Sequence, residues 1–322
     1  MVKHPKRQNL TLFILLLFTF SFISCARAIK DTVDIETVFC PREDCHAVFL
    51  STLKNATTID CAFYDLDDPP LISLLKAKQA HLVMDEDNAI SSDKEHLHIR
   101  KGKGLMHNKF CILDGKTVLT GSLNPTTNGF TRNNNNLLII NSRKITLLYE
   151  KEFQELWSSP SAQKSSPYST ISYDSSSLSI YFCPEDHCQD HLLKELETAK
   201  ESIGIMVFSF TDKDIAEELI KKHQEGVRVQ GVMEKQQLHM PYSIGPLLEK
   251  SGIILQPDAN PALLHHKVFI IDNKTVITGS YNPTKNGDEN NDENMLIIRD
   301  RKVASRFLEE FDFIRGVADG KT

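Results

Sequence analysis

A short motif occurs twice in this chain, and its repetition limits the fold more than any other feature. Histidine, lysine, aspartate, glycine, serine and asparagine recur at identical spacing in residues 107–124 and 265–282. The separation in sequence between the two copies also relates Asn136 to Asn294. It further relates the apolar positions of two later amphipathic segments, which are Ile145, Tyr149, Phe153 and Leu156 in the first half and Val303, Phe307, Phe311 and Ile314 in the second. A duplicated domain is the simplest account of this pattern.

Both copies have the form His-x-Lys-x4-Asp-x6-Gly-Ser-x-Asn. This is the signature of the phospholipase D superfamily, which the chain resembles over nearly all of its length after the N-terminal segment. The Asn-x-Glu-Asn run at residues 291–294 is similar to the compact endonuclease and cardiolipin hydrolase branch. The resemblance implies an α/β fold of two tandem phospholipase D-like α-β-α sandwich domains, related by a pseudo-twofold axis and sharing one active site at their interface.

The first 28 residues have the layout of an export signal. Basic residues precede an uncharged apolar run over residues 10–24, which is typical of such signals. Cleavage after residues 26–28 would give a soluble chain that begins near Ile29. Alternatively, Cys25 lies in a loose lipobox and would be lipidated, or the segment would stay as an uncleaved anchor. Each alternative predicts an extracytoplasmic protein, either secreted, periplasmic or membrane-anchored, and two of them give membrane association through the N-terminus.

The remaining length fits two domains that each bury a core, since the chain has 322 residues. We assign residues 29–157 to the first phospholipase D-like domain and residues 178–322 to the second. Residues 158–177 are rich in serine and predict a linker. Because one internally duplicated chain can assemble the shared site by itself, a monomer is expected.

The charge of the chain argues against broad binding to polyanions. The formal net charge is -6, and removal of the export signal would take away basic residues and no acidic ones. An acidic body does not attract nucleic acid nonspecifically, because such binding depends on lysine and arginine contacts to phosphates. With 40% hydrophobic and 25% charged residues, the composition also excludes a disordered chain and a polytopic membrane protein.

The cysteines follow the repeat. Phe-Cys-Pro-x3-Cys occurs once in each half and, in an oxidising compartment, predicts two local disulfides, Cys40 with Cys45 and Cys183 with Cys188. A zinc site made from these four residues is the alternative. Two further cysteines fall in apolar strand patterns and are predicted to be buried thiols: Cys61 and Cys111.

Hydrophobic periodicity predicts the same order of elements in each half. The order is strand, helix, strand, helix, strand, motif hairpin, last strand and closing helix. In the second half, the apolar run at residues 203–210 is predicted as a buried strand, and residues 301–315 as the closing helix. The hairpin turn is expected at residues 114–115 in the first half and at residues 272–273 in the second.

Four residues of the two motifs are predicted to be catalytic. Because side chains alternate along a strand, His107 and Lys109 project to one side, as do His265 and Lys267. The residue between them points away, so His266 is predicted to be a packing or surface residue.

The hairpin returns a second group of polar side chains to the same place. We expect these side chains, together with the lysines, to bind the substrate phosphate and to stabilise the charge of the transition state. They are Ser122, Asn124, Ser280 and Asn282. The two motif aspartates close the hairpin turns, so Asp114 and Asp272 are predicted to be structural and to hydrogen-bond the turn backbone.

The resemblance implies a two-step mechanism without a metal or cofactor. One neutral imidazole attacks phosphorus to form a phosphohistidine, and the other donates a proton to the leaving alkoxide and then activates water. Glu293 occupies the position where similar short bacterial endonucleases of the superfamily place a glutamate that orients the catalytic histidine, whereas the first half has Asn135. Because a carboxylate supports a cationic imidazole, we expect His265 to be the nucleophile and His107 the acid.

The resulting functional hypothesis is metal-independent phosphodiester hydrolysis, with phospholipase D-type cleavage of phospholipid head groups outside the cytoplasm. An extracytoplasmic endonuclease is the alternative, and Arg100, Lys101 and Lys103 would then guide nucleic-acid phosphates towards His107. The substrate is therefore a phospholipid or a nucleic-acid phosphodiester. A non-catalytic binding protein is the third reading.

Overall fold

A computed structural model describes Met1 and residues 32–91, 95–158 and 169–320. Apart from Met1, the predicted export signal lies outside the described residues, and so do residues 159–168 of the predicted linker. No helix in the described ranges has the length and apolarity needed to cross a membrane.

The first half builds a seven-stranded sheet in the order β1-β7-β6-β5-β2-β3-β4. Its elements are β1 (Asp34–Cys40), α1 (Cys45–Lys54), β2 (Ile59–Phe63), α2 (Pro69–Ala77), β3 (His81–Asp85), β4 (Leu97–Arg100), β5 (Lys109–Leu113), β6 (Thr117–Gly121), α3 (Thr127–Thr131), β7 (Asn135–Asn141) and α4 (Arg143–Ser158). Strands β2, β3 and β4 are parallel, and the other pairs are antiparallel.

The second half repeats this plan in an eight-stranded sheet of order β12-β11-β10-β13-β14-β15-β9-β8. Its elements are β8 (Ser169–Tyr173), β9 (Ser176–Cys183), α5 (Cys188–Glu197), β10 (Ser202–Val207), α6 (Lys213–Gln224), β11 (Arg228–Met233), α7 (Lys235–Leu238), α8 (Gly245–Lys250), β12 (Leu255–Pro257), β13 (Lys267–Ile271), β14 (Thr275–Gly279), α9 (Lys285–Glu289), β15 (Glu293–Arg299) and α10 (Arg301–Ala318).

The two halves share a central core. Helices α4 and α10 bury one apolar face each. The buried side chains of these faces form one cluster with inward-facing residues of both sheets, such as Phe110 and Val268. The opposite face of the first sheet packs against α1 and α2, and that of the second sheet packs against α5, α6 and α8. The predicted α/β fold with two sandwich domains is therefore confirmed.

The motif hairpins have the expected tight turns. Asp114 and Gly115 both have positive φ, as do Asp272 and Asn273, which matches the twist of a two-residue hairpin. The carboxylates differ from the prediction in their partners. Asp114 accepts hydrogen bonds from the backbone of the loop before β2, and Asp272 accepts them from the backbone of the loop before β10, instead of from their own turns. Each aspartate thus attaches its hairpin to the neighbouring strand.

The cysteines form three disulfides within the described residues. The two local pairs, Cys40 with Cys45 and Cys183 with Cys188, are confirmed, so these sulfur atoms are not zinc ligands. The prediction of buried thiols at Cys61 and Cys111 is wrong, because these residues are bonded to each other. They lie directly opposite on the antiparallel strands β2 and β5, with Cα atoms 4.1 Å apart.

Two element boundaries differ from the prediction. The end of the segment predicted as a linker forms β8 and the start of β9, an antiparallel pair at the sheet edge in which Ile171 is buried. The strand predicted over residues 203–210 ends at Val207. There the chain leaves the sheet, and the N–H of Phe208 donates to the carbonyl of His266 at 2.9 Å.

Candidate active site

The two motifs meet at the seam between the halves. The backbone N–H of His107 donates to the carbonyl of Asp292 at 2.9 Å, and that of His265 donates to the carbonyl of Asn134 at 2.9 Å. Both histidines are buried and lie two residues before the first residues of strands β5 and β13, Lys109 and Lys267. Because each half fixes the other half's histidine, neither half completes the site alone.

Each imidazole is oriented by a side chain from the opposite half. His107 Nδ1 lies 2.8 Å from Glu293 Oε2, and His265 Nδ1 lies 2.9 Å from Asn135 Oδ1. Asn135 Nδ2 donates to the carbonyl of Gly129, so its oxygen faces His265. Nδ1 is therefore the protonated nitrogen of both rings, which leaves each Nε2 available for chemistry.

The expectation that Glu293 orients His265 is wrong. Strands β7 and β15 begin at the seam, and their first residues face the imidazole of the other half. Spacing along the chain does not reveal this exchange. A carboxylate supports a cationic imidazole, so the contact of Glu293 with His107 favours His107 as the nucleophile.

The lysines and histidines form a buried group of potential cations. Burial lowers the pKa of Lys109 to about 7, and it lowers the pKa of Lys267 well below its usual value. Burial, followed by the charges of both lysines, also holds the pKa of His107 and of His265 well below the ordinary value. Burial raises the pKa of Glu293 to about 7, against the attraction of Lys109. Glu293, Asp65 and Asp85 favour the charged form of Lys109 without offsetting its burial, so an anionic phosphate would stabilise the cations of this group.

Two aromatic residues complete the walls of the site, and sequence reasoning missed both. The rings of Tyr64 and His107 meet edge to face at 4.9 Å, and those of Phe208 and His265 meet at 5.2 Å. Each ring also lies 5.3 Å from the ammonium group of the motif lysine in its own half. Both aromatic residues directly follow a buried apolar strand, which is the signal that could have identified them.

The motif serines lie behind the histidines. Ser122 and Ser280 are fully buried, and their hydroxyl groups accept hydrogen bonds from the backbone of Asn136 and Asn294 at 3.0 and 2.9 Å. Ser122 also donates to Asn135, the residue that orients His265. The serines therefore support the groups that position the imidazoles, and their direct contact with phosphate stays a prediction.

The motif asparagines lie at equivalent positions in the two halves. Asn124 and Asn282 are only partly buried, and the Oδ1 atom of each is enclosed without a hydrogen-bond partner among the described residues. Because phosphate oxygens accept hydrogen bonds, these amides would bind a phosphate through Nδ2, and that contact stays a prediction.

The middle residue of each motif points away from the catalytic side. Asn108 Oδ1 accepts from Asn294 Nδ2 at 2.9 Å, and His266 Nδ1 accepts from Asn136 Nδ2 at 3.1 Å. His266 is fully buried and packs against Phe39. It has the packing role expected from the alternation of side chains, and these bonds join the halves beneath the site.

An acidic residue holds the segment before each motif histidine. Asp85 accepts from the N–H of Met106 at 2.8 Å, and Glu234 accepts from the N–H of Leu264 at 2.7 Å. Both acids are buried and occur where a parallel strand ends. Sequence reasoning did not identify these two acids. The signal that could have identified them is an acidic residue at the end of an apolar strand or directly after it.

The basic loop before His107 is only partly available to a ligand. Arg100 pairs with Asp292, with Nε 2.9 Å from Oδ2, so it connects the halves. Lys101 and Lys103 are exposed. Within the described ranges, no group of three or more histidine, cysteine or acidic side chains is arranged to hold a metal ion.

Comparison with known proteins agrees with this geometry. A family model described as "Cardiolipin synthase, PLD-like domain" matches residues 23–157 and 192–315. The phospholipase D of Rickettsia prowazekii (strain Madrid E) is 34% identical over 144 residues, which are 45% of this chain and 70% of that protein. The mitochondrial cardiolipin hydrolase of Homo sapiens is 37% identical over 123 residues, which are 38% of this chain and 49% of that protein.

A solved structure supports the fold. Phosphatidylserine synthase of Haemophilus influenzae Rd KW20 has a TM-score of 0.66 and 13% sequence identity, and the match covers 88% of this chain and 86% of that one. With a family model matched in both halves and two His-x-Lys motifs joined at one buried site, the chain belongs to the PLD-like domain family, a family of phosphodiesterases.

Proposed function

We propose that this protein hydrolyses phospholipid head groups through a phosphohistidine intermediate, outside the cytoplasm. The observation that carries the proposal is the pairing of two oriented imidazoles with two buried lysines across the seam. Similarity to proteins named phospholipase D and cardiolipin hydrolase supports a lipid substrate.

In the first step, His107 attacks the substrate phosphorus. Its Nε2 lone pair forms the P–N bond while the P–O bond to the head-group alcohol breaks. His265 Nε2 donates a proton to the departing oxygen, which leaves as a neutral alcohol. Glu293 stabilises the positive charge that develops on His107, and Lys109 and Lys267 stabilise the charge on the phosphate oxygens.

In the second step, the neutral His265 accepts a proton from water. The resulting hydroxide attacks phosphorus, the P–N bond breaks, and the electron pair returns to His107. The products are a phosphomonoester and a protonated His265, ready for the next turnover. The proposed steps use the residues named above and water.

The extracytoplasmic location rests on two observations. The N-terminal residues have the layout of an export signal. Three disulfides, Cys40 with Cys45, Cys61 with Cys111 and Cys183 with Cys188, are of the kind that persists in oxidising compartments.

An activated diester tests the division of roles. Bis(p-nitrophenyl) phosphate has a leaving group that needs no general acid, so His265→Ala should form the phosphoenzyme and then stall. We expect a burst of about one p-nitrophenolate per enzyme, with the modification on His107 by mass spectrometry, because only the second step needs His265 as a base. His107→Ala should give no burst. A burst in His107→Ala, with the modification on His265, would reverse the assignment.

The substrate class is tested with the purified protein on fluorescent phosphatidylcholine, cardiolipin and plasmid DNA, each with and without EDTA. We expect head-group release from lipid that EDTA does not reduce. Faster cleavage of DNA than of either lipid would favour the endonuclease. Turnover of none of the diesters, including bis(p-nitrophenyl) phosphate, would favour the binding protein.

A further inference from the structure

A segment beside the candidate active site exposes several apolar side chains. It covers residues 239–247, between α7 and the first turn of α8, and we name it the apolar lip. Met240 is 52% exposed, Tyr242 is 85% exposed and Leu247 is 38% exposed. Single exposed apolar residues are common on soluble proteins, but three within one short segment form a patch that calls for a partner.

The apolar lip and the helix before it are attached to residues near His265. Glu234, which directly precedes α7, accepts a hydrogen bond from Leu264, the residue before His265. Within the lip, the N–H of Ile244 donates to the carbonyl of Phe210 at 3.1 Å, two residues after the ring that contacts His265. The apolar lip therefore lies on the catalytic side of the second half.

The charge of this segment differs from that of the rest of the chain. Residues 235–248 contain no aspartate or glutamate, although the formal net charge of the chain is -6. In the first half, the segment that follows the equivalent strand β3 begins with the exposed acids Glu86 and Asp87. Carboxylates oppose entry into lipid, whereas methionine, leucine and tyrosine favour the boundary between head groups and acyl chains. Among the described residues, the segment that follows β11 is therefore better suited to contact lipid than the segment that follows β3.

We propose that the apolar lip inserts into the surface of a phospholipid bilayer and holds the second-half side of the active site against the head groups. This inference rests on the proposed function, because it assumes a phospholipid substrate. The phosphate of a phospholipid lies at the level of the head groups. When the apolar lip enters the membrane interface, the histidines can reach this phosphate while the lipid stays in the bilayer.

The test compares Met240→Ser/Tyr242→Ser with Leu147→Ser. Leu147 is 57% exposed on α4 in the first half, so its replacement removes an exposed apolar side chain away from the apolar lip. Binding is measured by flotation with vesicles of phosphatidylcholine and phosphatidylglycerol. Activity is measured on fluorescent phosphatidylcholine in the same vesicles and on bis(p-nitrophenyl) phosphate in solution.

We expect the double variant to bind vesicles and to cleave vesicle lipid about tenfold less well or worse, because two large apolar side chains no longer leave water. Hydrolysis of bis(p-nitrophenyl) phosphate should stay at the level of the unmodified protein, and Leu147→Ser should behave as unmodified in all three assays. Equal losses in both variants, or vesicle binding unchanged in the double variant, would overturn the inference.

Two further outcomes separate the inference from the proposed function. A dimer in size-exclusion chromatography that the double variant abolishes, with vesicle binding unchanged, would assign the apolar lip to a second copy of the chain and overturn the membrane role. If the unmodified protein cleaves bis(p-nitrophenyl) phosphate but no lipid, the proposed substrate fails, and the inference fails with it. If lipid is cleaved equally by all variants, only the inference fails.

Discussion

Replacing Glu293 with glutamine isolates the role of its charge. The carboxylate is fully buried, lies 2.8 Å from His107 Nδ1 and also accepts from Asn291 Nδ2 at 3.2 Å. An amide has one oxygen, so Glu293→Gln cannot accept from both donors. A hydrogen bond to a charged group contributes about 1.5–3 kcal/mol, and this bond strengthens as His107 becomes positive in the attack. At about 1.4 kcal/mol per tenfold change in rate, we expect kcat to fall about 10- to 100-fold.

The assay is steady-state hydrolysis of bis(p-nitrophenyl) phosphate, with thermal unfolding measured in parallel to verify that the variant is folded. Glu289→Gln is the matched control, because Glu289 is an exposed glutamate in the same segment, and its kcat should not change. A kcat for Glu293→Gln within about twofold of the unmodified protein would refute the reasoning, since the oriented carboxylate would then contribute nothing to the rate-limiting step.

The pH profile gives a second test of the same group. Burial raises the pKa of Glu293 to about 7, so the carboxylate is lost as the pH falls below this value, and activity should rise as the pH approaches 7. Burial lowers the pKa of Lys109 to about 7, so activity should fall at higher pH as this lysine loses its proton, which leaves a narrow optimum near neutrality. A bound phosphate holds the proton on Lys109, and therefore the falling limb of kcat should lie at higher pH than that of kcat/KM. Glu293→Gln should abolish the rising limb.

Two structural features give the remaining predictions. Cys61→Ser/Cys111→Ser should lower the free energy of unfolding by about 2–4 kcal/mol in urea titrations under oxidising conditions, and dithiothreitol should remove the difference, because this disulfide constrains the unfolded chain. Gly104→Ala should reduce stability by about 1–3 kcal/mol and lower kcat, since its Cβ atom would lie 1.7 Å from the carbonyl oxygen of Asn290 in the other half. Gly102→Ala is the control, because no atom lies within 4 Å of its Cβ position, and unchanged melting temperatures for both glycine variants would contradict the close contact.

The motif repeat determined what the sequence could predict. Alternation along a strand placed His107 and Lys109 on one side, and the structure keeps both side chains at one buried site with their counterparts. Partners across the seam could not be predicted in this way. The strand carrying Glu293 starts next to the other half, so its partner depends on how the sheets pack. The pairing of Cys61 with Cys111 likewise depends on the register of two strands, β2 and β5, that are separated in sequence by a helix and two parallel strands.

Aromatic positions show the same limit. The apolar run at residues 203–210 gives no sign of where the strand ends, and Phe208 has the composition of a core residue. The backbone bond from Phe208 to His266 and the ring contact with His265 place Phe208 beside the motif histidine. Local sequence predicts which side chains share a face, whereas the point at which a strand leaves its sheet is decided by tertiary contacts.

Because one half has a glutamate where the other has an asparagine, the two sides of the site differ. A site made from two identical chains would bind a diester in either of two equivalent orientations. Here Glu293 supports one imidazole and Asn135 the other, so the two orientations of a substrate are not equivalent. In the proposed mechanism, the released alcohol departs beside Phe208 and the retained phosphate group stays beside Tyr64. Each half can therefore specialise its surroundings for one product.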